Sequence, residues 1–202
     1  MFVSIILAAG LSTRFPGNKL LYVWNGKPVI RWTVENALNS NVDRVIVVTG
    51  HDRDRVLNAL EDLCCYDEIY NENYREGMSG SVKAGVRHAI GKYGNSIEAI
   101  LFTPGDCAWI PPVIYDLMIM KFKEEKPLIL VASYRGRKGH PILFDASLTN
   151  DLLMVSEETR GLKFVVKKNW WGLKILETNY PGVILDIDTY NDLNRIKYMI
   201  KK

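Results

Sequence analysis

The sequence predicts an α/β fold with a mixed, mostly parallel sheet flanked by helices. Three observations carry that expectation. Strand-like and helix-like segments alternate from the first residues onward, which is the pattern of strand–helix–strand units. Arg44–Thr49 is a near-continuous β-branched run, as a strand covered on both faces requires. The 202 residues, 48% hydrophobic and 24% charged, suffice for one well-filled core, so residues 1–202 are expected to form a single domain.

Each element has a local reason. Val3–Leu7 is an apolar first strand. Leu20–Trp24 reads as a short extended piece closed by the Asn25-Gly26-Lys27-Pro28 turn. Val29–Leu38 carries apolar residues at helical spacing, Arg44–Thr49 is a strand, and Asp52–Leu63 places Val56, Leu57 and Leu60 on one helical face. Asp67–Tyr70 is a short strand, Ser79–Ile90 a helix introduced by Gly77-Met78-Ser79, and Ala99–Thr103 a core strand. Pro111 and Pro112 stand where a helix begins, so Val113–Phe122 follows as one. Leu128–Ala132 is another strand, Gly136–Gly139 a basic turn, and His140–Phe144 extended. Ala146–Val155 and Leu162–Val166 read as helical, Ile175–Glu177 and Val183–Asp186 as short strands, and Asp192–Met199 as a closing amphipathic helix. The alternation is loosest around residues 133–180. There is no internal repeat and no linker rich in Gly, Ser or Pro.

Composition narrows the function classes. A net charge of +3, from 26 basic and 23 acidic residues, fits a protein with anionic ligands and is far too mild for a nucleic-acid binder. Trp170-Trp171 between Lys168 and Lys174 lacks the wider basic face such binding needs. No run approaches the roughly 18 apolar residues of a membrane span. Phe2–Leu11 has no basic residue before it and reads as a strand, not a signal peptide. Cys64, Cys65 and Cys107 lack disulfide-framework spacing, so reduced thiols in a cytoplasmic protein are expected, with Cys64 and Cys65 partly buried at a helix end.

The chemistry concentrates where strands end. After the first strand, Ala8-Ala9-Gly10-Leu11-Ser12-Thr13-Arg14-Phe15-Pro16-Gly17-Asn18-Lys19 joins small residues to a flexible polar loop with one arginine and one lysine. Small residues let backbone N–H groups approach a ligand closely, and the two cations can reach phosphate oxygens. The loop is neither a dinucleotide Gly-x-Gly-x-x-Gly nor a P-loop. In an open α/β sheet, ligands lie beyond the carboxyl ends of the strands. Thr103-Pro104-Gly105-Asp106 and Leu185-Asp186-Ile187-Asp188-Thr189 bring carboxylates to that edge, where they suit Mg²⁺ bridging phosphates. By strand alternation, Asp186 and Asp188 point the same way. Asp188 or Thr189 is equally placed as a helix N-cap, and Asp106 as a turn former. Glu76-Gly77-Met78-Ser79-Gly80-Ser81 sets hydroxyls and backbone N–H groups at a helix start, a place for anion or nucleoside contacts or for simple capping. His140 lies between a basic turn and a strand, His51 near a helix start, and His88 within a helix. No His/Cys/Asp set has zinc spacing, and there is no Gly-x-Ser-x-Gly elbow.

Taken in order, Leu7-Ala8-Ala9-Gly10-Leu11-Ser12-Thr13-Arg14 with Lys19, Gly26-Lys27-Pro28, Glu76 to Ser81, Pro104-Gly105-Asp106, Gly139-His140-Pro141 and Asp186-Ile187-Asp188-Thr189 resemble the molybdopterin nucleotidyltransferases. The molybdenum cofactor cytidylyltransferase branch is the most similar. The related guanylyltransferases usually carry Leu-Ala-Gly-Gly where this chain has Leu7-Ala8-Ala9-Gly10. The resemblance implies a Rossmann-like nucleotide-diphospho-sugar transferase fold. It also implies transfer of CMP from CTP to the phosphate of molybdopterin, with release of pyrophosphate and Mg²⁺ as cofactor. Asp106 and Asp188 would hold the metal and, with Arg14 and Lys19, form the catalytic set. Leu7, Ala8, Ala9, Gly10, Arg14, Lys19, Ser79, Ser81 and Asp106 would surround the nucleotide, and Met78, Ser79 and His140 the acceptor. The partners implied are a nucleoside triphosphate and a molybdopterin-type phosphate, with transient contact to a molybdoenzyme or its chaperone, and neither nucleic acid nor membrane. A sugar-phosphate or other small-molecule nucleotidyltransferase, guanylyltransferases included, and a non-catalytic nucleotide-binding homologue are the alternatives. The chain departs from the family pattern at Pro16, where a glycine is common, and at Ala108, where a proline is.

Overall fold

In the computed structural model, which describes residues 1–200, the opening apolar run becomes the central strand β1 (Phe2–Ala8). A two-stranded ribbon, β2 (Val23–Trp24) and β3 (Lys27–Pro28), turns through Asn25 and Gly26. Both turn residues sit at positive φ, as a two-residue hairpin demands. The helices and strands that follow are α1 (Val29–Leu38), β4 (Arg44–Thr49), α2 (Arg53–Asn58), β5 (Tyr66–Tyr70), α3 (Met78–Tyr93) and β6 (Ala99–Pro104). Then come α4 (Pro112–Glu125), β7 (Ile129–Tyr134), β8 (Arg137–Asp145), α5 (Thr149–Leu153), α6 (Leu162–Lys168), β9 (Leu173–Thr178) and α7 (Asp192–Ile200).

Seven strands form one sheet in the order β5-β4-β1-β6-β8-β7-β9. Neighbours pair in parallel except β8, which runs antiparallel to both β6 and β7. The sheet is therefore mixed and largely parallel, flanked by helices, as expected. Successive side chains of β1 enter opposite layers. Ile6 packs with Val34 of α1 and Met118 and Phe122 of α4, while Ile5 packs with Val82 and Val86 of α3 and Leu152 of α5. Gly85 is what lets α3 lie so close, since a Cβ there would stand 2.7 Å from an Ile5 methyl. The chain winds from β1 out to β5 and returns to β6 on the other side of β1. The carboxyl ends of β1 and β6, with Leu7 paired to Pro104, therefore form the crevice where the winding reverses.

Several elements differ from the sequence-based expectation. Lys19–Leu21 curls into a 3₁₀ turn because Asn18 Oδ1 accepts the Leu20 N–H at 3.0 Å, so only Val23–Trp24 of the expected extended piece pairs as strand. The basic turn tightens to Arg135-Gly136, both at positive φ, and Arg137–Gly139 join β8. Pro181–Ile184 forms a 3₁₀ turn where Val183–Asp186 were expected to be a strand. Close main-chain contacts account for that change. A Cβ on Gly182 would stand 1.7 Å from the Trp109 carbonyl oxygen, and one on Gly139 1.8 Å from that of Val183. Non-local packing of glycine backbone thus replaces a strand ladder. Cys64 and Cys65 are exposed rather than partly buried, in the turn between α2 and β5.

A third apolar cluster lies outside the two layers. Phe15, Val29, Ala108, Leu185, Ile187, Leu193 and Ile196 draw the first loop, the turn after β6, and α7 together. Among the described residues, no helix is long and apolar enough to cross a membrane.

Candidate active site

The loop after β1 is pinned, not free. Phe15 is buried in the third cluster, edge-on to Tyr22 at 5.8 Å between centroids. Its N–H donates to the Ser12 carbonyl at 2.9 Å, and the Lys19 N–H donates to Ser12 Oγ at 3.3 Å. Asn18 Nδ2 donates to Asp52 Oδ2 at 3.3 Å, tying the loop to the start of α2. Gly17 takes φ +80°, a conformation that favours glycine, so the chain turns one residue later than a glycine at position 16 would allow. Gly10 faces open space, with no atom within 4 Å of the place a Cβ would occupy.

These constraints deliver Lys19 to two carboxylates from distant parts of the sequence. Its Nζ lies 2.6 Å from Asp106 Oδ2 and 3.5 Å from Asp188 Oδ1. Arg14 Nη2 lies 2.8 Å from the same Asp188 oxygen. Asp106 is buried in the turn after β6, Lys19 is four-fifths covered, and Arg14 stands in solvent at the mouth. Leu185 and Ile187 are buried in the third cluster, so the intervening Asp186 and the following Asp188 are left on the cavity side. The expected alternation survives although the segment pairs with no strand. Asp188 does not cap α7 with its carboxylate. Asp192 Oδ2 accepts the N–H groups of Asp188 and Thr189 instead, at 3.1 and 2.7 Å.

The cavity below the loop has a volume of about 380 Å³. Leu7, Ala9, Gly10, Lys19, Met78, Ser81, Asp106, His140 and Asp188 line it, so most of the sequence-predicted residues meet at one place. Ala8 points into the sheet core, Arg14 reaches the cavity through Asp188, and Ser79 lies just behind its wall. The Ser79 N–H donates to Glu157 Oε1 at 2.7 Å, while its buried hydroxyl has no partner among the described residues. Ser81 Oγ accepts from Asn71 Nδ2 at 3.0 Å, so that hydroxyl is already held. His51 and His88 stay outside: His51 lies beside Tyr74, and His88 pairs with Asp67 at 3.1 Å.

Asp186, Tyr74 and Arg75 also line the cavity but were not among the assigned site residues. Asp186 had a visible signal in the Asp186-Ile187-Asp188 pattern. Tyr74 and Arg75 belong to no such motif; the signal for them was their place in the Tyr70–Ser81 segment, which follows a strand at the carboxyl edge of the sheet and includes the turn that precedes α3.

The electrostatics are those of crowded carboxylates sharing too few cations. Partial burial and the neighbouring Asp106 and Asp188 raise the Asp186 pKa above the usual carboxylate value. Burial works against the Lys19 ammonium, yet Asp106 and Asp188 outweigh it and hold that pKa above its ordinary value. Burial drives His140 down to about 4, with Asp186 opposing, so its ring is neutral at pH 7. Its Nδ1 is buried without a partner among the described residues.

Asp106 and Asp188, the two carboxylates that Lys19 bridges on the cavity, are hard oxygen donors of the kind Mg²⁺ and Mn²⁺ accept. Among the described residues, no three His, Cys, Asp or Glu side chains form a preassembled metal cage. A metal held there by one or two carboxylates would be completed by phosphates and water.

Comparison with known proteins places these features in context. The family model described as the MobA-like NTP transferase domain matches residues 4–172. A probable molybdenum cofactor guanylyltransferase from Thermococcus sibiricus is 24% identical, across 96% of this chain and 97% of that protein. The molybdenum cofactor cytidylyltransferase of Escherichia coli K12 is 26% identical, across 93% and 91%. The crystal structure of Rv0371c from Mycobacterium tuberculosis H37Rv in complex with manganese superposes with a TM-score of 0.77 at 22% identity, covering 96% of this chain and 97% of that one.

Proposed function

The chain belongs to the MobA-like NTP transferase domain family, and on that premise we propose that it transfers a nucleotidyl group from a nucleoside triphosphate to the phosphate of a small-molecule acceptor, releasing pyrophosphate. One observation carries the reading: Lys19 bridges Asp106 and Asp188 beside the carboxyl ends of β1 and β6.

The reaction follows from charge and alignment. An acceptor phosphate with a second pKa near 6 is largely dianionic at neutral pH, so it needs little general-base help. Its oxygen attacks the α-phosphorus, a new P–O bond forms, and the bond to the β-phosphate oxygen breaks as pyrophosphate leaves in line. Arg14 and Lys19 neutralise charge on the triphosphate and the leaving group. The backbone around Ala9 and Gly10 offers N–H groups to phosphate oxygens. Asp106 and Asp188, with Asp186 beside them, would hold Mg²⁺ or Mn²⁺, which supplies Lewis-acid stabilisation of phosphoryl charge. The manganese bound by a related fold supports a divalent cation here. A neutral His140 suits hydrogen bonding to the acceptor, not charge pairing.

Two relatives that span nearly the whole chain differ in their nucleobase, guanine in one and cytosine in the other. Ala9 in the first motif favours CTP, and a molybdopterin-type phosphate is the first acceptor to pair with it. Guanylyl transfer and sugar-phosphate acceptors belong to the same reaction class. Pyrophosphate release measured with each of four nucleoside triphosphates, against molybdopterin and a sugar-phosphate panel and with or without chelator, tests the reading. Metal-dependent release with one matched pair is expected. No release with any pair overturns it.

A further inference from the structure

We propose that Cys64 and Cys65 form a reversible modification site, at which a low-molecular-weight disulfide oxidises the two thiols to a disulfide bond between neighbouring residues. The pair lies in the turn between α2 and β5, at the amino edge of the sheet. The cavity holding Lys19 and Asp106 lies at the opposite, carboxyl edge, so the proposal stands apart from the nucleotidyl-transfer reading.

Adjacent cysteines do not ordinarily meet. Along an extended chain, successive side chains point to opposite faces. Here Cys65 takes φ +72°, a left-handed conformation uncommon for a residue with a side chain. That turn breaks the alternation and leaves both sulfurs on one side, where the Cys65 S–H donates to Cys64 Sγ at 3.3 Å. A disulfide bond is about 2.05 Å long, so side-chain rotation has about 1.3 Å to close. Both residues are exposed, and an oxidant reaches them directly from solvent. The third thiol does not compete. Cys107 is buried, and burial with Asp106 beside it pushes its pKa well up.

The hydrogen bond sets the order of events. By donating to Cys64, Cys65 holds its proton more tightly than an ordinary thiol does, with Arg44 opposing. Cys64 is therefore the first nucleophile. Its thiolate attacks one sulfur of the oxidant, forming a mixed disulfide, and the other half leaves and takes up a proton. Cys65 then gives up its proton and attacks the Cys64 sulfur. The bond to the remaining half breaks, and that half leaves as a second thiol. The pair has lost two electrons and two protons, and the oxidant has become two thiols. The product is strained. Cα atoms across the trans peptide lie about 3.8 Å apart, whereas disulfides usually span about 4.4–6.8 Å. A strained and exposed disulfide is easily reduced, so this one follows the surrounding thiol–disulfide balance and does not staple the fold.

Intact-mass measurement tests this on the full chain, incubated with glutathione disulfide and then alkylated with N-ethylmaleimide in denaturant, beside the Cys65→Ser variant. Reduced wild type takes up three labels, and the oxidised chain is expected to take up one, at Cys107, with no glutathione attached. Cys65→Ser should retain glutathione on Cys64, with at least about tenfold more adduct than wild type, because the second attack within the pair is intramolecular. Return to reduced glutathione alone should restore all three labels to wild type. Cys65 is exposed, so the variant is expected to keep the wild-type melting temperature. A wild type that keeps every label, carries glutathione as fully as Cys65→Ser, links between chains, or stays oxidised in reduced glutathione overturns the proposal.

Discussion

The Lys19 ammonium lies 2.6 Å from the Asp106 carboxylate, joining the loop after β1 to the turn after β6 across the crevice where the sheet reverses its winding. Both groups are largely withdrawn from water, so removing either one would leave the other a costly, poorly paired charge. In the proposed reaction the pair must open or share, with phosphate oxygens taking up Lys19 and a divalent cation taking up Asp106.

Asp106→Asn keeps the shape and removes the charge. Turnover is expected to fall by about a hundredfold or more, the scale of losing one preorganised electrostatic group. The fold should weaken as well, by about 1–3 kcal/mol, because Lys19 is left partly buried with only the longer 3.5 Å contact to Asp188. A turn aspartate considered alone would cost less; the ion pair is what raises the figure. Steady-state pyrophosphate release and urea denaturation of the purified variant check both. Near-normal turnover would remove Asp106 from the machinery.

Asp67 offers a test of the scaffold through pH. Its carboxylate accepts from Lys92 Nζ and Tyr93 Oη, both at 2.6 Å, and lies 3.1 Å from His88 Nε2. Burial pushes its pKa up, but these three partners hold it down to about 2, below its ordinary 3.8. A depressed carboxyl contributes stability above the unfolded value and loses it as pH falls through the folded one. Asp67→Asn should therefore cost about 1 kcal/mol at pH 7, allowing for solvent screening, with the difference from wild type shrinking between pH 4 and pH 2. Urea midpoints at pH 7, 3 and 2 measure it, and a difference that stays constant across that range rules the account out.

Local signals made α1 and β4 legible to the residue, because helical apolar spacing in Val29–Leu38 and β-branching in Arg44–Thr49 are written within the segment. The site was legible in part for the same reason: loops that follow apolar strands land at one edge of a parallel sheet. Asp186 and Asp188 do face one cavity, as alternation with Leu185 and Ile187 suggested. The 3₁₀ turn before them was hidden, since it follows from Gly139 and Gly182 meeting distant carbonyls. A groove beside α6 was hidden too: Lys138 of β8 meets the stretch from Arg160 to Trp170 on its rim, and only the tertiary fold brings the two together.

Gly139 is expected to be intolerant of any side chain. A Cβ there would stand 1.8 Å from the Val183 carbonyl oxygen, which is backbone and has no rotamer to adopt. Gly139→Ala must push the 183–188 segment outward, moving Asp186 and Asp188 away from Lys19. A loss of about 3 kcal/mol, the upper range for overpacking, is expected together with loss of nucleotide binding. Thermal melting and CTP titration read the two effects. A variant that melts as wild type would show that the contact gives way without cost.

Glu157 should set stability against ligand affinity. Its Oε1 accepts the Ser79 N–H at 2.7 Å, satisfying one of the free donors at the start of the sixteen-residue α3 and placing negative charge at the positive end of the helix. The same carboxylate crowds Gly77, where a Cβ would lie 2.3 Å from Glu157 Cδ, and Gly77 lines the cavity proposed for the triphosphate. A carboxylate so close to bound phosphates repels them. Glu157→Ala should lower stability by about 1 kcal/mol, the usual cost of a lost cap, while tightening nucleoside triphosphate binding a few-fold. Glu157→Gln keeps an acceptor oxygen without the charge, so it should retain more stability and show the same gain in affinity. Opposite signs of the two effects in the alanine variant identify a side chain that holds the helix start closed against an anion. If affinity and stability fall together, Glu157 serves only to hold the cavity wall.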